Sequence, residues 1–486
     1  MVAYTAPGSP LRHRVAWLSA VLCACLIGLG VVRSPTAGML YLAAMVVAIG
    51  VVVVAISNRD ATSVLSALLV LLFLVPEDKV LVGPLKSYGY PAMLVGVAGL
   101  LIWLAGSLLG WFEPSTRDPV HWLIFGFLLA AVCAFAAGMM RPLTPIESTG
   151  ATRATVPLLA EVGIALLAYD GLKDRQRLES LLYRLVIIVG VSATIGIIEF
   201  FWGGFRYATF LSPPGLTVHV DIIDDVRSSF QRVQAAAAHP IEYCVGCAAM
   251  VPIGLHYARY ATSKARRQLA GLAAFTMLVV LPMAVARSAI LALVVALLVY
   301  GVQWNWRVRL NAIILGVFGL AAFRAVVPGL LGTLLSLFTN ASNDPSVQSR
   351  TDDYALLPAL LEHHLIFGRG LGTFQWQQYF YLDDQYLGSL LEGGIIGLCA
   401  LAALFIVGMG LARGARKRAS DDRTRDLGQA LAASMAALAV SAATFDELGF
   451  KQTAFLIFLL VGVSGALRRM AMVDAEVPTL LSTRVE

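Results

Sequence analysis

What most limits the fold of this chain is a succession of apolar runs, each about as long as a bilayer is thick. A spanning helix needs ~20 apolar residues, with roughly 17 to 25 tolerated. On that rule helices are expected near 15–33, 37–56, 61–76, 91–112, 120–140, 155–172, 180–202, 241–260, 268–286, 288–304, 308–327, 386–412, 428–445 and 452–467. The third and sixth are short, so the expected count is 12 to 14 spans. Composition agrees. The chain is 58% hydrophobic and 14% charged, whereas a soluble domain carries about 25% charged residues. Residues 1–486 therefore read as a single integral membrane domain of an all-α polytopic membrane protein. The first apolar run is longer than the core of a signal peptide and more spans follow it, so it reads as an uncleaved helix.

The net charge of +6 does not point to nucleic acid, because the basic residues are concentrated in the short loops between spans. Most of them fall on one side when alternate loops are assigned to it, with dense groups at Lys173–Arg177, Lys264–Arg267 and the 413–427 loop. By the positive-inside rule that side and both termini are cytoplasmic. The long loops 203–240 and 328–385 then lie outside, as does the 141–154 connection. Within 328–385, Tyr354, Leu357, Leu361 and Leu365 recur at helical spacing with Asp352, Asp353 and Glu362 on other faces. That pattern predicts an amphipathic helix along the outer surface, kinked or split at Pro358. Cys244 and Cys247 share one helix face, but no second pair or histidine cluster completes a metal site. They read as small packing residues.

Polar groups at the ends of apolar spans are costly and mark candidate chemistry. In Arg232-x6-His239-Pro240 the two polar residues share a face if the intervening alanines are helical, and Pro240 suits the first turn of a helix. Arg287 lies between two long apolar runs, where a guanidinium either snorkels to the interface or grips an anion in its planar fork. Arg350 follows Ser349 in the long loop. Gly368-Arg369-Gly370-Leu371-Gly372 offers either backbone amides to an anion or a turn leading into Phe374. His363 and His364 are adjacent and cannot jointly hold a metal. Asp383-Asp384-Gln385-Tyr386-Leu387 opens a span, with Glu392 two turns inside. Two adjacent carboxylates at a membrane face disfavour each other's ionisation, so one of them suits a general base. The alternative is a helix cap. Asp221, Asp224 and Asp225 read as a solvated acidic loop.

Taken in order, Arg232…His239-Pro240, Arg287-Ser288-Ala289-Ile290-Leu291 opening a span, Ser349-Arg350, the glycine loop before Phe374, Asp383-Asp384-x-Tyr386-Leu387 and Glu392-x-Gly394-Ile395-Ile396-Gly397-Leu398 resemble the O-antigen ligase and polysaccharide polymerase superfamily. The resemblance spans roughly Arg232 to Leu467, and the first half agrees in topology alone. It implies a GT-C-like fold in the cytoplasmic (inner) membrane of a bacterium, and a metal-independent, inverting glycosyltransferase without a cofactor. The donor it implies is a glycan on a polyprenyl diphosphate, and the acceptor another glycan or a lipid. A flippase and a chain-length regulator are the expected partners.

By position, Arg232, Arg287 and Arg350 match the family's diphosphate-binding arginines. Asp383 stands where ligases carry histidine and Asp384 where they carry asparagine, so Asp383, Asp384 and His239 are the candidate catalytic residues. Tyr386 and Glu392 are expected to orient the acceptor. Ala286 replaces a common serine and Ile241 a frequent asparagine. These departures favour a polymerase over a ligase that transfers a finished glycan. A flippase or exporter of lipid-linked oligosaccharide is the alternative from another class. Such a transporter would more often place polar residues near the bilayer midplane.

Overall fold

The computed structural model describes residues 61–82, 89–112, 119–213, 216–219, 226–227, 230–340 and 345–482. The expected spans 15–33 and 37–56 and the acidic loop at 221–225 lie outside the described residues. The rest is a helical bundle. In chain order it contains α1 (Ala61–Leu74), α2 (Pro91–Leu108), α3 (Pro119–Met139), α4 (Pro145–Gly171), α5 (Arg175–Phe201), α6 (Pro240–Tyr260), α7 (Lys264–Val280), α8 (Arg287–Gly301), α9 (Trp306–Val326), α10 (Leu330–Thr339), α11 (Pro345–Leu361), α12 (Gln385–Arg418), α13 (Asp422–Ser441) and α14 (Lys451–Ser482). Nine helices among the described residues are long and apolar enough to cross a membrane, and α1 and α8 are shorter apolar helices. The chain is an all-α polytopic membrane protein.

Local chemistry sets where the helices start. Thr144 caps α4 in a capping box with Glu147, and Pro145 fills the first turn. This starts the helix ten residues before the expected 155 and turns most of the expected 141–154 loop into helix, because both orphan amide groups are satisfied there. Asp174, Ser263, Asn305 and Asp421 likewise accept from backbone N–H groups at the starts of α5, α7, α9 and α13. α4 and α6 are the most enclosed spans, and α4 and α12 pack along α14. Cys244 and Cys247 are buried on α6 as free thiols.

One end of the bundle carries structural polar clusters. Asp170 accepts from Trp103 Nε1 at 2.7 Å and meets His121 Nε2 at 2.8 Å. Asp426 meets His256 Nδ1 at 2.7 Å and accepts from Tyr300 at 2.8 Å. The opposite end gathers the ends of α1, α3, α5 and α7 and the starts of α2, α4, α6, α8, α12 and α14. Two short ribbons close it. Strand Lys79–Leu81 pairs with Leu216–Val218, and Val226–Arg227 with Phe230–Gln231, both antiparallel.

The 328–385 segment differs from its expected shape. It contains an additional amphipathic helix, α10, whose Leu330 and Leu334 pack with Val285 and Val327 in a small separate cluster. The expected helix is α11. It carries Pro358 but stops at Leu361, so Leu365 lies beyond it. α9 stands apart, with no buried residue along its length.

Candidate active site

The α7–α8 junction is where the first two arginines meet. The expected helix 268–286 ends early at Val280, followed by a 3-10 turn over Leu281–Ala284 containing Pro282. Val285 then takes a left-handed conformation, φ 48° and ψ 47°, which is rare for a β-branched residue. Ala286 supplies no capping side chain, and Arg287 opens α8 half-buried. Arg232, 5% exposed, donates from Nε to the Ala284 carbonyl at 2.7 Å. Two guanidinium-bearing residues distant in sequence thus converge on one break, beside an uncapped helix N-terminus whose partial positive charge suits an anion.

The alanines after Arg232 are not helical. Ala235 has φ +46°, and the N–H groups of Gln234 and Ala235 donate to Glu199 Oε2 at 3.2 and 2.8 Å. Glu199 also accepts from the Tyr207 N–H at 2.8 Å. A buried carboxylate collecting amides has won over the helical preference of alanine. His239 caps α6, its Nδ1 accepting from the Ile241 N–H at 3.1 Å, and its ring lies 5.8 Å from that of Phe450. Arg350 lies on α11, and its side chain is outside the described residues.

The glycine loop does bring amides to an anion, and the anion is the chain's own Glu392. Gly372 and Phe374 donate their N–H groups to its carboxylate at 3.0 and 3.1 Å. α12 is broken at Gly394, with φ 63° and ψ −161°, which frees backbone groups inside the helix. The loop satisfies them. Arg369 and Gly370 donate to the carbonyls of Leu391 and Glu392, while Ile395 and Ile396 donate to those of Leu365 and Ile366. A Cβ at Gly368 would lie 2.3 Å from Glu392 backbone, and one at Gly394 2.3 Å from Ile366 backbone. Only glycine fits such approach combined with positive φ.

Of the acidic pair, Asp384 is the cap of α12, accepting from the Leu387 N–H at 3.1 Å. Asp383 is exposed. Tyr386 donates to the Ala439 carbonyl at 2.6 Å, which ties α12 to α13. Gln385 is a structural clamp: its N–H donates to the Ala442 carbonyl at 2.8 Å and its Oε1 accepts from the Leu448 N–H at 2.6 Å.

A cavity of about 410 Å³ opens between α3, α4, α12 and the 446–451 segment. Its polar lining includes Arg153, Gln375, Gln385, Glu392, Asp446 and Lys451. Of the sequence candidates only Glu392 lines it. Lys451 is paired with Glu77 at 2.6 Å, whereas Arg153 is exposed and has no hydrogen-bond or ion-pair partner among the described residues. Burial pushes Asp446 up to about 6; the Gly449 N–H opposes that shift and the negative charge of Asp383 adds to it. The 445–451 segment touches both halves of the site, with Phe450 against His239 and Asp446 and Lys451 on the cavity. Sequence reasoning missed Arg153, Asp446 and Lys451. Among the described residues no group of three or more His, Cys, Asp or Glu side chains is placed to hold a metal ion.

No curated protein matches the chain. A family model described as O-antigen ligase matches residues 272–402, from within α7 into α12. The match includes Arg287, Arg350, Asp383, Asp384, Tyr386 and Glu392, and leaves Arg232, His239 and Asp446 outside it. The match at residues 272–402 supports the resemblance to the O-antigen ligase and polysaccharide polymerase superfamily that the sequence motifs carry.

Proposed function

We propose that this chain is a membrane glycosyltransferase that extends a glycan by transfer from a polyprenyl diphosphate carrier at the outer face of the cytoplasmic membrane. The observation that carries the reading is the convergence of Arg232 and Arg287 on the α7–α8 break, at the same bundle end as the polar cavity. Their guanidiniums hold the departing diphosphate, whose charge grows as the glycosidic bond breaks. An acceptor hydroxyl entering the cavity attacks the anomeric carbon, and its proton passes to an acidic group. Asp383 and Asp446 are electrostatically linked, and Asp446 lines the cavity. We assign the proton to Asp446, with Asp383 setting its basicity. Glu392, held by two amides, stiffens the cavity wall and orients the acceptor.

The family match itself favours a second reading, transfer of a finished glycan to a lipid or cell-envelope acceptor. The lipid-linked intermediates in a deletion strain separate the two. Single repeat units on the carrier are the expected result for a polymerase. Long polymer on the carrier indicates the ligase, and accumulation confined to the cytoplasmic leaflet indicates a flippase.

Orientation is tested independently. In a cysteine-free background, Glu362→Cys and Ser420→Cys each place a thiol at an exposed position, at opposite ends of the bundle. A membrane-impermeant thiol reagent is expected to label intact cells at 362 and not at 420. The reverse pattern would place the site in the cytoplasm and exclude the proposed reaction there.

A further inference from the structure

Beside the cavity mouth the chain reads Gln375-Trp376-Gln377-Gln378-Tyr379-Phe380-Tyr381. Trp376 and Tyr381 are 51% and 65% exposed, yet their rings are stacked on each other, 4.7 Å between centroids and 12° between planes. Two large rings held parallel at the surface are not explained by core packing. The segment beneath them is rigid. Gln378 and Tyr379 donate their N–H groups to the Gln375 carbonyl at 3.0 and 3.1 Å. Tyr379 stacks on Phe374 at 4.9 Å, accepts from Arg369 at 2.6 Å and donates to Glu147 at 2.9 Å. Glu147 is in turn held by Arg141 at 2.7 Å.

Carboxamides border Trp376 in the chain. Gln377 and Gln378 are exposed, and Gln375 lines the cavity itself. A pyranose ring has an apolar face of C–H groups and a rim of hydroxyls. A flat aromatic surface bordered by carboxamides complements both, and aromatic side chains supply that contact with little loss of freedom. The exposed chain neighbours of the two rings are Gln377, Gln378 and Asp383, whereas Phe380 and Leu382 on either side of Tyr381 are half-buried.

We infer that Trp376 and Tyr381 form a binding platform for the glycan strand, continuous with the cavity through Gln375, on which a sugar beyond the reacting one is stacked. The inference rests on the reading of this chain as a glycan-transferring enzyme, and it names where the chain it acts on is held. The platform grips the strand at a distance from the reacting bond. It therefore favours long acceptors over short ones and keeps a growing glycan from leaving between transfers.

The test uses the full-length protein in proteoliposomes and oligosaccharides, short and long, cut from the polymer of the strain that carries this chain. In titration calorimetry Trp376→Ala is expected to bind the long oligosaccharide about tenfold more weakly than wild type, the loss of one aromatic contact, and Trp376→Phe to restore most of the affinity. In transfer assays Trp376→Ala raises KM for the long acceptor with kcat unchanged, and leaves the short acceptor as in wild type. Unchanged glycan affinity in Trp376→Ala overturns the inference, as does a wild-type protein that binds neither oligosaccharide. Unchanged affinity together with poorer reconstitution into liposomes identifies the rings as a membrane anchor. A wild-type protein that binds the long oligosaccharide through Trp376 but transfers nothing keeps the platform and removes the glycosyltransferase reading.

Discussion

Arg287→Ala is expected to turn over lipid-linked donor about ten- to a hundredfold more slowly than wild type, the equivalent of roughly 1.5–3 kcal/mol for one charge-assisted hydrogen bond. Arg287 opens α8 at a point where no side chain caps the helix, and its removal takes away the fork. Arg287→Lys keeps the charge but not the planar geometry that grips two phosphate oxygens, and should remain strongly impaired. Arg309→Ala is the matched control. That arginine donates to the Gly301 and Val302 carbonyls at the opposite end of α8, and its loss should leave turnover unchanged. Initial rates on purified protein, with membrane insertion checked in parallel, decide the matter. Wild-type turnover in Arg287→Ala would reduce this arginine to an interfacial anchor.

The second large effect is expected at Asp446. With its proton lost at about pH 6, the group accepts a proton above that pH and not below it. The rate should therefore rise with pH through about 6. Asp446→Asn removes the acceptor, abolishes that limb and lowers turnover by at least ~100-fold, the low end for loss of a general base. Asp383→Asn acts differently. It removes a negative charge that holds Asp446 up, so the rising limb moves to lower pH while the plateau survives. A pH–rate profile of the two variants separates the roles. Near-normal turnover in Asp446→Asn with an inactive Asp383→Asn moves the base to Asp383, and an inactive His239→Gln alone moves it to the histidine.

Much of the architecture is legible in the sequence because bilayer thickness imposes one length on every apolar run. The errors fall where a local group competed with that rule. The start of α4 was written in Thr144, Pro145 and Glu147, a capping box hidden inside what hydropathy reads as a loop. The alanines after Arg232 favour helix by propensity, but Glu199, thirty-odd residues upstream, collects their amides instead. Arg287 is readable as a site residue because an arginine between two apolar runs needs an explanation. Asp446 gave no such signal. Asp446 and Glu447 form a short acidic pair between two spans that carries no motif, and only folding brings Asp383 and the cavity to Asp446. Arg153 was obscured in the same way, since the cavity wall that carries it belongs to the half of the chain with no motif.

The glycine loop and the break in α12 are joined almost entirely through peptide groups: Arg369, Gly370, Ile395 and Ile396 donate, and Leu365, Ile366, Leu391 and Glu392 accept. A joint of that kind does not depend on what most of its side chains are, provided Gly368 and Gly394 stay glycine and Glu392 keeps the carboxylate that takes the Gly372 and Phe374 amides. The stretch that follows, 375–381, is therefore free to change its surface residues without disturbing the hinge that presents it. On the proposed glycan platform, substitutions just after Phe374 would alter what the rings grip while this backbone joint stays as it is.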